Sequence, residues 1–95
     1  MANRELEAAF DDAIARVEEA RSIGMTTRFG ETADAQLEKL ALELRGERPR
    51  ALQRGAVERE WFQRTIRWVV DWAPDDDLTL IAALGRIARA PVGLT

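Results

Sequence analysis

The strongest candidate for chemistry in this sequence is a run of three adjacent carboxylates, Asp75-Asp76-Asp77. Neighbouring carboxylates can recruit Mg²⁺ or a basic partner, because hard cations prefer oxygen ligands. A calcium loop spreads such ligands over about twelve residues around a glycine, and the residues after Asp77 supply none. Asp at or before a helix N-cap instead satisfies unpaired amides and the helix dipole. We therefore predict a helix cap here and no metal site.

The rest of the composition leaves little room for catalysis. The 95 residues contain no Cys, His or Tyr, so the single serine, Ser22, has no His partner. The usual nucleophiles, general bases and transition-metal ligands are therefore missing. Nothing indicates that the pairs Asp11-Asp12 and Glu18-Glu19 occupy an apolar pocket, which would raise their pKa. We expect no enzyme, no catalytic residue, no cofactor and no metal.

A basic segment in the middle of the chain could bind phosphates. Its five arginines are Arg45, Arg48, Arg50, Arg54 and Arg59. The segment lies between two predicted helices, but Pro49 and its length make a helix-turn-helix a poor description. The net charge of −3 also opposes nucleic-acid binding. We favour pairing of these arginines with carboxylates of the first helix, in the same or another subunit, and keep nucleic-acid binding as the alternative.

Three tryptophans lie on one face of the third predicted helix, at spacings of seven and four. Packing in the core is the first interpretation of this row, and a subunit or partner interface is the second. A buried indole N–H needs a hydrogen-bond acceptor. If the chain docks on a partner, we expect contact through Trp61, Trp68 and Trp72, with Arg64 and Arg67 at the rim.

Four helical segments must position these residues, and the first runs from about residue 3 to residue 23, before Gly24. Its apolar residues recur at spacings of three and four, which gives one stripe for burial. Its acidic residues lie mainly off the stripe and form an outer face: Glu5, Asp11, Asp12, Glu18 and Glu19. In the link that follows, we expect Met25 and Phe29 to pack under the bundle, with contact to a partner as the alternative.

The second segment is predicted over about residues 32–45. We expect Gly46 to end it and Pro49 to prevent its continuation, because proline lacks the N–H that a helix interior requires. Residues 49–54 could then form one short helical turn. A fourth segment is predicted over about residues 77–90, after which Val92 and Leu94 could dock the short tail.

The third segment, about residues 56–73, carries two adjacent apolar ridges that cover more than half of its circumference. Such a helix is normally buried between neighbours. On its polar side, Glu60 and Arg64 are one i,i+4 pair and Arg67 and Asp71 are another. We therefore predict one all-α domain over residues 1–95, a small bundle of three to four helices around a central Trp-rich helix.

These features favour a small non-enzymatic interaction or regulatory protein, such as an adaptor, that acts by docking on another protein. Four short helices leave little material to cover the broad apolar arc, so we expect self-association as a homodimer. One alternative is a nucleic-acid-binding regulator that uses the basic segment. A second is an acidic inhibitor that uses the carboxylates of the first helix. With no apolar span and no signal-peptide pattern, we expect a cytoplasmic location and no membrane partner.

Overall fold

A computed structural model describes residues 3–90 and contains four helices. They are α1 Asn3–Ile23, α2 Asp34–Arg54, α3 Arg59–Trp72 and α4 Thr79–Arg89. The bundle measures 44 × 22 × 20 Å. Apart from one isolated bridge between Thr26 and Thr32, residues 3–90 contain no β structure. The prediction of a small all-α bundle is confirmed. No helix in this range is long and apolar enough to cross a bilayer.

The core is built along α1, which packs against both α2 and α4. The predicted stripe of α1 is buried at Leu6, Phe10, Ala13, Val17 and Ala20. These residues share one face because spacings of three and four follow the helical period. The helix ends at Gly24, whose φ of 75° lies in the left-handed region that glycine tolerates best. The bounds predicted for this helix are confirmed.

The end of α2 differs from the prediction, because the helix continues through Gly46 and Pro49 as far as Arg54. The left-handed cap is Gly55, with φ of 88° and an N–H that donates to the Ala51 carbonyl. A proline in a helix interior costs about 3 kcal/mol or more. Leu44 and Ala51 are fully buried on either side of it. Burial of this longer apolar face outweighs the local stop signals.

The second half of α2 is also joined to α3 by a buried carboxylate. Glu47 is buried and accepts a hydrogen bond from Arg54 Nη2 at 2.6 Å. The same oxygen accepts the backbone N–H of Glu58, the N-cap residue of α3, at 3.2 Å. A carboxylate is favoured there because the N-terminal end of a helix is electropositive.

The buried residues of the third helix form one face, which takes members from both predicted ridges: Trp61, Thr65, Val69 and Trp72. Phe62, Ile66 and Trp68 are half-buried, and Val70 is exposed. We predicted that the third helix would be buried between two neighbours, but α1 occupies that position, between α2 and α4. α1 and α2 are 21 residues long and pack extensively on each other, whereas α3 has only 14 residues. α3 packs mainly against α4.

The loop between α1 and α2 folds back on the bundle. The Arg28 N–H donates to the carbonyl of Trp72 at 2.9 Å, which fixes the loop to the end of α3. Met25 packs against the core as predicted, but Phe29 is exposed and the prediction for it was wrong. The loop is held by its backbone hydrogen bonds and needs no second apolar anchor. The predicted docking of Val92 and Leu94 lies outside the described residues.

Candidate docking surface

The three tryptophans of α3 occupy two different environments. Trp61 and Trp72 are each only 5% exposed and belong to the core. Trp68 is half-buried and lies at the edge of that core. The structure thus supports core packing for the first two, and it leaves Trp68 as the tryptophan that a partner could contact directly.

Trp61 connects three helices. Its Nε1 donates to Oε1 of Glu43 on α2 at 2.9 Å. Its ring centroid lies 6.4 Å from that of Phe10 on α1. The need of a buried indole for an acceptor could be foreseen. Glu43 itself was not identified from the sequence, because it lies 18 positions away on another helix.

Trp68 and Trp72 form an edge-to-face pair with ring centroids 5.4 Å apart. Such a geometry is favourable between aromatic rings. The Lys39 ammonium lies 5.0 Å from the centroid of the Trp68 ring, within cation–π range. The Trp72 Nε1 is buried and has no hydrogen-bond partner among residues 3–90. Trp68 is thus contacted by both Trp72 and Lys39, whereas the Nε1–H of Trp72 donates to no residue within the described range.

A continuous surface surrounds Trp68 on the outer side of α3. One shallow cleft of about 340 Å³ is lined by α3 alone, and a second of about 160 Å³ lies between α2 and α3. Both clefts include Arg64 and Trp68. We call this region the Trp68 surface, and define it as Lys39, Glu43, Glu60, Gln63, Arg64, Arg67, Trp68 and Asp71.

The charged side chains of the Trp68 surface form no ion pair with another residue of the described range 3–90. The ion pairs predicted between Glu60 and Arg64 and between Arg67 and Asp71 are absent from the ion pairs of residues 3–90. All four residues are exposed. Two guanidinium groups and two carboxylates therefore lie beside a half-buried tryptophan without an ion pair to any described residue.

The basic segment, which lies in α2 except for Arg59, behaves differently, because Arg45 and Arg48 contact carboxylates of α1. Arg48 donates to Asp11 Oδ1 and to Glu7 Oε2, both at 2.9 Å, and Arg45 pairs with Glu18. Hydrogen bonding to Asp11 is the main cause that raises the pKa of Arg48. The predicted pairing of this segment with the first helix is confirmed for these two arginines.

The remaining arginines of the segment divide into two kinds. Arg54 is engaged by the buried Glu47. Arg50 and Arg59 are exposed and form no ion pair in the part of the chain that the structure describes. Three of the five predicted phosphate-binding residues are thus paired with carboxylates, and the other two have no ion-pair partner within residues 3–90.

The three adjacent aspartates differ in what they contact. Asp77 Oδ1 accepts the backbone N–H of Thr79 at 3.0 Å, at the start of α4. Asp75 pairs with Arg28, and Asp76 is exposed. Residues 3–90 contain no group of three or more acidic side chains arranged to hold a metal ion. The arrangement agrees with a helix cap.

Comparison with protein families, curated proteins and solved structures finds no match for this chain. The proposed function therefore rests on the contacts and charges of the described residues.

Proposed function

We propose that this chain is a non-catalytic protein–protein interaction protein that docks through the Trp68 surface, with a second copy of itself as the first occupant. The observation that carries the proposal is the half-buried Trp68 flanked by Arg64 and Arg67, whose guanidinium groups have no partner in the described chain. Tryptophan and arginine are the side chains most enriched among residues that dominate binding energies.

The pairing between α1 and α2 supports the choice of this surface over the two alternatives. Arg45 and Arg48 contact carboxylates of α1, so the basic segment and the acidic face neutralise one another in part. A nucleic-acid site needs free cations along a phosphate backbone. An inhibitor that presents carboxylates needs them free as well. Both alternatives are thereby weakened by the same contacts.

The order of charges along α3 favours a second copy as the occupant. Glu60, Arg64, Arg67 and Asp71 form one row, with an acid at each end and two arginines between. An antiparallel copy displaced by about two turns brings Arg67 beside Asp71 of the second copy. A twofold axis makes this contact twice. Without the displacement, like charges meet, so the row also disfavours the alternative register.

Sedimentation equilibrium with charge-swapped variants tests this proposal. We expect wild-type dimers with a dissociation constant in the micromolar range, since the surface is largely polar. Asp71→Arg should weaken the dimer about tenfold, and the double variant Arg67→Asp/Asp71→Arg should restore much of the loss.

Asp76→Arg is the matched control, because it makes the same charge change at an exposed aspartate outside the Trp68 surface. It should leave the dimer unchanged. A wild-type chain that stays monomeric at the highest concentration, or an equal effect of both single variants, would contradict the proposal.

A further inference from the structure

One end of the bundle exposes three large apolar side chains. Ile23 at the end of α1 is 75% exposed, Phe29 in the following loop 70%, and Leu78 before α4 60%. They are three of the five exposed large apolar residues within residues 3–90, and the other two, Leu42 and Val70, lie on α2 and α3. Apolar residues that remain exposed together mark contact sites more often than scattered ones do.

Backbone and side-chain contacts place these residues at one end. The Arg28 N–H binds the Trp72 carbonyl, and the Arg28 side chain pairs with Asp75, so the loop that carries Phe29 meets the turn that carries Leu78. Ile23 lines a small cleft of about 110 Å³ together with Asp77. We call Ile23, Phe29 and Leu78 the apolar end.

The charge left over around the apolar end is negative. The cations nearby are all engaged: Arg16 pairs with Asp12, Arg21 with Asp34 and Arg28 with Asp75. By contrast, three exposed carboxylates of this region form no ion pair within the described chain: Glu19, Glu31 and Asp76. A ligand of this end therefore meets exposed apolar side chains bordered by unneutralised carboxylates.

We propose that the apolar end binds a basic amphipathic helix of a partner protein. Its apolar face would cover Ile23, Phe29 and Leu78, and its Lys or Arg residues would pair with the carboxylates at the border. A helix of about 15 residues is about 22 Å long, which matches the 22 × 20 Å cross-section of the bundle.

The same carboxylates disfavour a second copy of this chain and an anionic lipid surface as ligands of the apolar end. A second copy would bring two acidic ends together, and like charges opposed across an interface are costly. An anionic lipid surface would also repel unpaired carboxylates. This inference concerns a surface separate from the Trp68 surface and does not depend on self-association.

Calorimetric titration with a synthetic Leu/Lys amphipathic helix tests the inference. Micromolar binding is expected, with no binding of the same peptide carrying Glu in place of Lys. Phe29→Ser/Leu78→Ser should weaken binding about tenfold or more, whereas Leu42→Ser/Val70→Ser, which changes two exposed apolar residues elsewhere, should not. Equal losses in both double variants, or no binding of the basic peptide at low salt, would overturn it.

Charge variants and two further measurements separate the occupants. Glu31→Lys/Asp76→Lys should weaken peptide binding, whereas Glu38→Lys on the exposed side of α2 should not. Phe29→Ser/Leu78→Ser should leave the sedimentation behaviour unchanged, and the wild type should not sediment with phosphatidylserine vesicles. Loss of a dimer in that variant, or binding to the vesicles, would overturn the choice of a partner helix.

Discussion

Asp77, just before the N-cap residue Leu78, contacts the first residue of α4. Its carboxylate accepts hydrogen bonds from the side chain and the backbone N–H of Thr79, and these bonds lower its pKa below the ordinary value of 3.8. The folded chain therefore favours the charged form. The stability that this contact contributes is fully present above the pKa of the unfolded chain and is lost as the pH falls through the lower, folded value.

Asp77→Ala should consequently lower the thermal midpoint at about pH 7, and the difference from the wild type should shrink toward about pH 2. Circular dichroism melting curves over this pH range measure the effect. Asp76→Ala is the control, since its carboxylate is exposed and forms no hydrogen bond that the structure records for residues 3–90. A difference between Asp77→Ala and wild type that is independent of pH would exclude this role.

The sequence predicted that the three tryptophans lie on one face of α3, but it could not predict which of them are buried. Helical spacing relates Trp61, Trp68 and Trp72 to one another, which is local information. Whether an indole is buried depends on which helix covers it. Glu43 and Lys39 of α2 contact Trp61 and Trp68, and neither pairing follows from spacing along α3.

At the scale of elements, the join between α2 and α3 depends on Glu47. One carboxylate oxygen accepts hydrogen bonds from Arg54 and from the backbone N–H of Glu58, the N-cap residue of α3, so the end of one helix and the start of the next share an acceptor. A buried donor that loses its acceptor costs about 1–3 kcal/mol. Arg54 is partly exposed and can be solvated, whereas the Glu58 N–H would lose this partner.

Glu47→Ala should therefore lower the free energy of unfolding by about 1–3 kcal/mol. Urea denaturation followed by circular dichroism gives this value. Glu38→Ala, an exposed glutamate on the same helix, should change it by no more than about 0.5 kcal/mol. Similar losses in the two variants would mean that Glu47 acts only through helix propensity.

The helix bounds show where local rules are sufficient. The bounds of α1 matched the prediction because its apolar stripe and the stop signal Gly24 indicate the same end of the helix. α2 did not, because Gly46 and Pro49 are strong local stop signals that tertiary burial overrides. The gain from burying Leu44 and Ala51 against the rest of the core is not visible in the sequence of α2 alone.

At the scale of the whole molecule, the main feature is which charged side chains form ion pairs with one another and which do not. The sequence showed an acidic first half, with ten acidic and five basic residues in positions 1–44. It did not show that α1 and α2 would neutralise one another through Arg45 and Arg48. Among the charges that form no ion pair within residues 3–90 are those of the Trp68 surface on α3 and those at the border of the apolar end.

Self-association through the Trp68 surface should therefore depend on salt. Exposed ion pairs are screened as ionic strength rises, with a Debye length of about 10 Å at 0.1 M and 3 Å at 1 M. The dimer dissociation constant measured by sedimentation should increase between these two concentrations. A constant that falls with added salt would point to an apolar interface elsewhere.

The position of Trp68 has a practical consequence for detecting binding. The chain contains no tyrosine, so its near-ultraviolet emission comes from three indoles, two of which are buried. A water-soluble quencher such as iodide should reach Trp68 before the other two. Any tryptophan-free ligand that covers this residue would then shield the emission, and the unlabelled protein would report its own occupancy.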